Sequence, residues 1–166
     1  MDLGLKGKKV LVTGSTKGLG RAIAETMLAE GASVAICARN AEEVAAAVAE
    51  MSKLGKVVGA SVDAADPEAL RAWVASSAEQ LGGIDVYVHN TSGKPARKLE
   101  AWINNFNIDL MSLVHGVDAA KEALANGGGS VISIGTTATS EHFASGSGSY
   151  SAMKSAVVNW TLGQAQ

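Results

Sequence analysis

The sequence is poor in nearly everything that would tie it to an extracellular, membrane or nucleic-acid setting. One cysteine, Cys37, stands in 166 residues, so neither an internal disulfide nor a cysteine metal cluster can form, which predicts a reducing, cytoplasmic setting. Lys and Arg number 14 against 16 Asp and Glu, a formal net charge of −2. Without a basic excess there is no electrostatic footprint for a nucleic acid or an anionic membrane. No segment approaches the roughly 20 apolar residues of a membrane span, and the opening Met1-Asp2-Leu3-Gly4-Leu5-Lys6-Gly7-Lys8-Lys9 lacks the apolar stretch of a signal peptide. His115 and His142 have no partners at metal-ligand spacing, and His89 reads as a structural residue at a strand end, so no metal site is expected. Two Phe, two Tyr and three Trp leave no aromatic platform; Trp73, Trp102 and Trp160 read as helix-packing residues.

What is abundant is glycine, 19 residues, within a chain that is 47% hydrophobic. The length suits one domain with a sizeable core. Short β-branched or apolar runs at Lys9–Thr13, Ser33–Ala38, Lys56–Asp63, Ile84–His89 and Ser130–Gly135 read as strands. Helical periodicity fills the intervals over Leu19–Glu30, Ala41–Leu54, Pro67–Leu81, somewhere within Leu99–Ala125, and Tyr150–Gln164. Asn40 and Asp66 stand where helix N-caps belong, with Pro67 at a first helical position. The stretch Ala144-Ser145-Gly146-Ser147-Gly148-Ser149 reads as a mobile loop rather than a domain boundary. Near-continuously apolar strands alternating with helices predict parallel βαβ units with right-handed crossovers, hence an α/β, Rossmann-like doubly wound sheet covered on both faces.

The turn after the first strand is Thr13-Gly14-Ser15-Thr16-Lys17-Gly18-Leu19-Gly20. Its glycines follow GxxxGxG spacing, where the standard dinucleotide fingerprint has GxGxxG. Glycines there let the backbone turn tightly against a pyrophosphate, and the helix opening at Leu19 presents free N–H groups and a positive dipole end. NAD-binding folds place an acid about 20 positions further on to hold the ribose hydroxyls. Here that stretch reads Ala38-Arg39-Asn40. Arg39, with Lys17, suits a 2′-phosphate, so NADP(H) is the expected cofactor, ahead of NAD(H).

Tyr150 and Lys154 lie four residues apart and share one face of the last helix. A phenol is mostly protonated at neutral pH, and a neighbouring ammonium stabilises its phenolate, which suits the group to general acid–base work. The pair also begins a helix at the carboxyl end of the sheet, where such folds bind ligands.

The chain resembles the short-chain dehydrogenase/reductase family over its whole length, in the subgroup of 3-oxoacyl-carrier-protein reductases. The resemblance rests on TGSTKGLG at 13–20, Asp63, HNTS at 89–92, Asn107, IGT at 134–136 and YSAMK at 150–154. It implies that Tyr150 gives or takes the proton, that Lys154 binds the nicotinamide ribose and supports the tyrosine, and that Asn107 holds a relay water. It implies a cofactor site at Gly14, Ser15, Thr16, Lys17, Gly18, Leu19 and Gly20, with Arg39, Asp63 facing the adenine, Ala64 beside it, and Asn90 lining the cleft. It also implies a homodimer or homotetramer acting on a small carbonyl or alcohol. Two positions depart from the family pattern. Threonine replaces the usual serine, as Thr136 or its competitor Thr137, keeping the hydroxyl while restricting χ1. The usual NNAG reads His89-Asn90-Thr91-Ser92, shifting the glycine to Gly93. Family members also continue beyond this last helix, so the 166 residues are expected to be part of a longer chain. The leading expectation is an NADP(H)-dependent oxidoreductase. A non-catalytic NADP(H)-binding sensor or scaffold is the alternative, and an epimerase or dehydratase with the same tyrosine–lysine pair is a third, disfavoured by the glycine spacing.

Overall fold

A computed structural model describes residues 3–94, 98–126, 128–141 and 148–164. Five strands, β1 (Lys9–Thr13), β2 (Ser33–Ala38), β3 (Val57–Ser61), β4 (Val86–His89) and β5 (Ser130–Ser133), form one sheet in the order β3-β2-β1-β4-β5. Every neighbouring pair is parallel. The sheet is flanked by α1 (Gly18–Ala29), α2 (Ala41–Met51), α3 (Pro67–Leu81), α4 (Leu99–Asn105), α5 (Ser112–Ala125) and α6 (Gly148–Gly163). The expected doubly wound α/β fold is therefore present.

Side-chain alternation explains why both faces are covered. Along β1, Val10 and Val12 join Ala24, Leu28, Ala47 and Met51 in one core layer. Leu11, between them, points the other way into a layer with Leu70, Trp73, Tyr87 and Leu124. The period of two sends successive side chains to opposite faces, and each face needs its own helices. Cys37, buried in the second layer, is a core residue, and burial pushes its thiol up to about 12.

Helix ends follow local chemistry. The Asn40 side chain accepts from the Glu42 and Glu43 amides, and Asp66 from those of Glu68 and Ala69. Helix α2 ends at Met51, three residues before the sequence reading, where Ser52 Oγ turns back to the Ala49 carbonyl. The long helix is interrupted: between α4 and α5 residues Phe106–Met111 form a π-helical segment. A 3-10 turn at Thr137–Thr139 also follows β5, unforeseen in the sequence. The expected mobile loop at 144–149 and His142 lie largely outside the described residues; only Gly148 and Ser149 fall within them, and they open α6.

Candidate active site

Strand order reverses between β1 and β4, so their carboxyl ends diverge and leave a crevice. A cleft of about 440 Å³ opens there, lined among others by Gly14, Lys17, Arg39, Asp63, Ala64 and Asn90. The turn after β1 is held open by specific bonds. Thr13 Oγ1 accepts from the amides of Asn90 and Thr91 at 3.0 and 3.1 Å. The Asn90 side chain donates to the carbonyls of Thr13 and Gly14 at 3.1 and 2.9 Å. Gly14 takes φ +62°, and a Cβ at Gly20 would stand 2.5 Å from the Gly14 carbonyl oxygen and collide with Asn90. These positions therefore need glycine.

The amino end of α1 has no side-chain cap, in contrast to α2 and α3. Its first amides are left for another acceptor. The turn, the uncapped helix and the volume of the cleft fit a dinucleotide's pyrophosphate. Not every expected cofactor residue faces that space. Ser15 is fully buried, its hydroxyl donating to the Val12 carbonyl while accepting from the Cys37 amide, so it joins β1 to β2. Leu19 is exposed on α1.

The two cations differ. Lys17 Nζ lies 3.3 Å from Glu43 Oε2, which also accepts from Thr16 Oγ1. Arg39 is exposed at the cleft with no ion pair among the described residues. Glu43 was not foreseen; it sits one helical turn after the Asn40 cap, which is where a sequence reading could have sought it.

Tyr150 and Lys154, which are not among the residues lining that cleft, stand on one face of α6. Lys154 Nζ is 6.0 Å from the Tyr150 ring centroid, donates to the Ile134 carbonyl at 2.9 Å and lies 3.6 Å from Asp109 Oδ1. Both charged side chains are almost wholly buried. Burial lowers the pKa of Lys154, and the Asp109 carboxylate works against that. Thr136 is half-buried and caps the 3-10 turn through its hydroxyl, which accepts from the Ala138 amide. Thr137 is exposed in that turn.

The long helix meets Lys154 with Asp109, not with Asn107. Asn107 is half-buried two residues away, and no side-chain hydrogen bond ties it to Tyr150 or Lys154 among the described residues. Asn105, Asp109, Leu113, Gly116, Ala120 and Leu124 form the buried stripe of this helix, and Asn107 lies off it. Asp109 Oδ1 also accepts from Ser92 Oγ at 2.7 Å and from the Gly93 amide at 3.1 Å. Asn105 Nδ2 donates to Ser149 Oγ, one residue before the tyrosine. Polar Asn105 and Asp109, on a buried face that continues through Ser112, Leu113, Gly116, Ala120 and Leu124, were the signal that could have picked them out. His89 donates or accepts at Ser112 Oγ, 2.7 Å away. Burial, helped by the charge on Lys154, drops its pKa to about 3, so it is a neutral core residue.

The family profile described as short chain dehydrogenase matches residues 8–166. The chain belongs to the short chain dehydrogenase family. It is 39% identical over 126 residues to isoepoxydon dehydrogenase patN of Penicillium expansum, covering 72% of this chain and 48% of that protein. Among solved structures, a short chain dehydrogenase from Burkholderia cenocepacia in complex with NADP superposes with TM-score 0.87 at 33% identity, covering 97% of this chain and 68% of the other. Carveol dehydrogenase from Mycobacterium avium in complex with NAD gives 0.86 at 28% identity, covering 93% and 63%. The chain spans about half the length of these curated relatives. Within this short chain dehydrogenase no helix of the described residues is long and apolar enough to cross a membrane. Its sheet and flanking helices form a Rossmann fold.

Proposed function

We propose that this short chain dehydrogenase domain interconverts a small ketone or aldehyde and the corresponding alcohol, using NADP(H) in preference to NAD(H). One observation carries the reading: Tyr150 and the buried Lys154 share a face of α6 at the carboxyl end of the sheet, where the Ile134 carbonyl just after β5 holds the lysine. Bound dinucleotide supplies or accepts the hydride. Tyr150 Oη then gives the proton to the carbonyl oxygen, or takes it from the alcohol. Lys154, fixed by the Ile134 carbonyl, keeps its ammonium 6.0 Å from the Tyr150 ring centroid and would hold the nicotinamide ribose. The Thr136 hydroxyl orients the substrate oxygen; Thr137 is the second candidate for that role. Gly14, Thr16, Gly18 and Gly20 would let the backbone meet the pyrophosphate, Asp63 and Ala64 would hold the adenine, and Asn90 keeps the turn in place. Ser15 and Leu19 support the turn through backbone placement. Arg39 is the cation for a 2′-phosphate. The active form is a cytoplasmic homodimer or homotetramer.

The test is the Tyr150→Phe variant. It keeps the ring and removes the proton carrier, so NADPH should still raise the melting temperature by mass action while ketone reduction falls by at least about a thousandfold. Retained turnover overturns the assignment. A parent chain whose melting responds to neither NADPH nor NADH overturns the cofactor reading.

A further inference from the structure

Two carboxylates, Glu43 and Asp63, line the cleft beside its two cations, Lys17 and Arg39. They are differently engaged. Asp63 Oδ1 accepts from the Ala65 amide at 3.0 Å, closing its own turn. Glu43 reaches from the first turn of α2 back to the glycine turn. There its Oε2 accepts from Thr16 Oγ1 and Lys17 Nζ, each at 3.3 Å, and its Oε1 from Lys17 Nζ at 3.4 Å. An anion of the chain itself thus stands on side-chain donors that the turn presents to the cleft. The base of the residue is fixed: its amide donates to the Asn40 cap, and Arg21 with Glu50 ties α1 to α2 further along. Its head is not used up, because the side chain is 43% exposed and a carboxylate offers about four lone-pair sites.

The two nicotinamide dinucleotides differ by one phosphate on the adenosine ribose. NAD(H) presents neighbouring 2′ and 3′ hydroxyls, which donate to a carboxylate. NADP(H) presents a phosphate of roughly −1.5 to −2 charge, which a carboxylate repels. NAD-binding folds place an acid for these hydroxyls at the end of the second strand; here Arg39 follows β2, and the carboxylate comes from the next helix. Resting on the proposed function, we propose that Glu43 is a specificity-determining residue for the dinucleotide. It accepts from the adenosine ribose hydroxyls of NAD(H) and opposes the 2′-phosphate of NADP(H), while keeping the Lys17 charge neutralised. The preference set by Arg39 is thereby narrowed, and the domain takes both dinucleotides.

Calorimetric titration of the parent chain, Glu43→Gln and Glu43→Ala with NADPH and NADH tests this without turnover. Glu43→Gln keeps the length of the side chain and an acceptor for Thr16 while removing the charge. It should weaken NADH about threefold to tenfold and tighten NADPH by up to about fivefold, moving the ratio of the two dissociation constants toward NADPH by about tenfold. Glu43→Ala removes every acceptor and should move the ratio in the same direction, which covers failure of the first variant to fold. The response of NADH decides. NADH binding that is unchanged or tighter in either folded variant leaves Glu43 as a partner of Lys17 only and overturns the inference. Equal weakening of both dinucleotides marks a merely structural role and overturns it too, as does a parent with no measurable affinity for NADH. A parent that binds both while the variants leave the ratio unmoved refutes the role of Glu43 alone; one that binds neither refutes the proposed function itself.

Discussion

The proposed preference for NADP(H) over NAD(H) rests on two cations in different electrostatic company. Arg39 is exposed at the cleft with no ion pair among the described residues, so pairing with a 2′-phosphate costs it no existing partner. A hydrogen bond to a charged group contributes about 1.5–3 kcal/mol. Solvent screening of an exposed guanidinium favours the lower end, which is roughly a tenfold change in affinity. Lys17 starts from a pair with Glu43 at 3.3 Å, its side chain 80% exposed and that of Glu43 43% exposed. Exchanging one anion for another gains it only the difference, and an exposed pair is itself worth about 0.2–1 kcal/mol. Arg39→Ala should therefore weaken NADPH binding about tenfold, Lys17→Ala less than about fivefold, and both should leave NADH binding unchanged. Glu43→Gln, which releases Lys17, should tighten NADPH by up to about fivefold. Fluorescence titration with both dinucleotides at two salt concentrations checks this, since the Arg39 effect must shrink as salt rises. Equal losses for NADPH and NADH in Arg39→Ala, or a larger loss in Lys17→Ala, would refute the reasoning.

Two further outcomes concern the scaffold. His89 stays neutral in the folded chain until about pH 3, whereas the unfolded chain protonates it below about 6.5. The unfolded state then binds the extra proton, so stability falls as pH falls through that window, by up to about 1.4 kcal/mol per unit. Urea unfolding at pH 7 and pH 5 should show His89→Gln losing about 2 kcal/mol less than the parent over that step; equal slopes would remove His89 from the acid response. Gly20→Ala forces a Cβ to within 2.5 Å of the Gly14 carbonyl and onto Asn90. It should cost about 1–3 kcal/mol, lower the melting temperature by several degrees, and abolish the stabilisation that NADPH gives; an unaltered NADPH response would show that the turn can open without loss.

Much of the architecture was legible because its signals are local. Runs such as Lys9–Thr13 and Ser33–Ala38 are too short and too apolar for anything but buried strands, and both strands have those bounds. Asn40 and Asp66 cap helices through their own side chains, a pattern that needs no tertiary information. The site was harder because it depends on phase and competition. The resemblance pointed to Asn107 on this helix; the helix winds through a π-helical segment at Phe106–Met111, and the carboxylate it brings to Lys154, Asp109, was not foreseen. Such a segment arises from packing and leaves no periodicity of its own. Ser15 illustrates competition: a hydroxyl in the glycine turn is engaged in joining two strands. Lys17 is similar, since its partner Glu43 is 26 residues away in the chain.

The bonds at the head of the crevice also couple distant parts of the chain. Thr13 and Asn90 are 77 residues apart, yet three of the four bonds they make at this point run between them or from the adjacent Thr91 amide to Thr13. Amides at the end of a strand ordinarily exchange with solvent through fraying. Those of Asn90 and Thr91 cannot do so without breaking the hold on the turn after β1. Their deuterium uptake should follow the opening of the whole central sheet, not of β4 alone. A lasting substitution at Thr13 or Asn90 therefore calls for a compensating change at the other, and these two positions should vary together as lineages diverge.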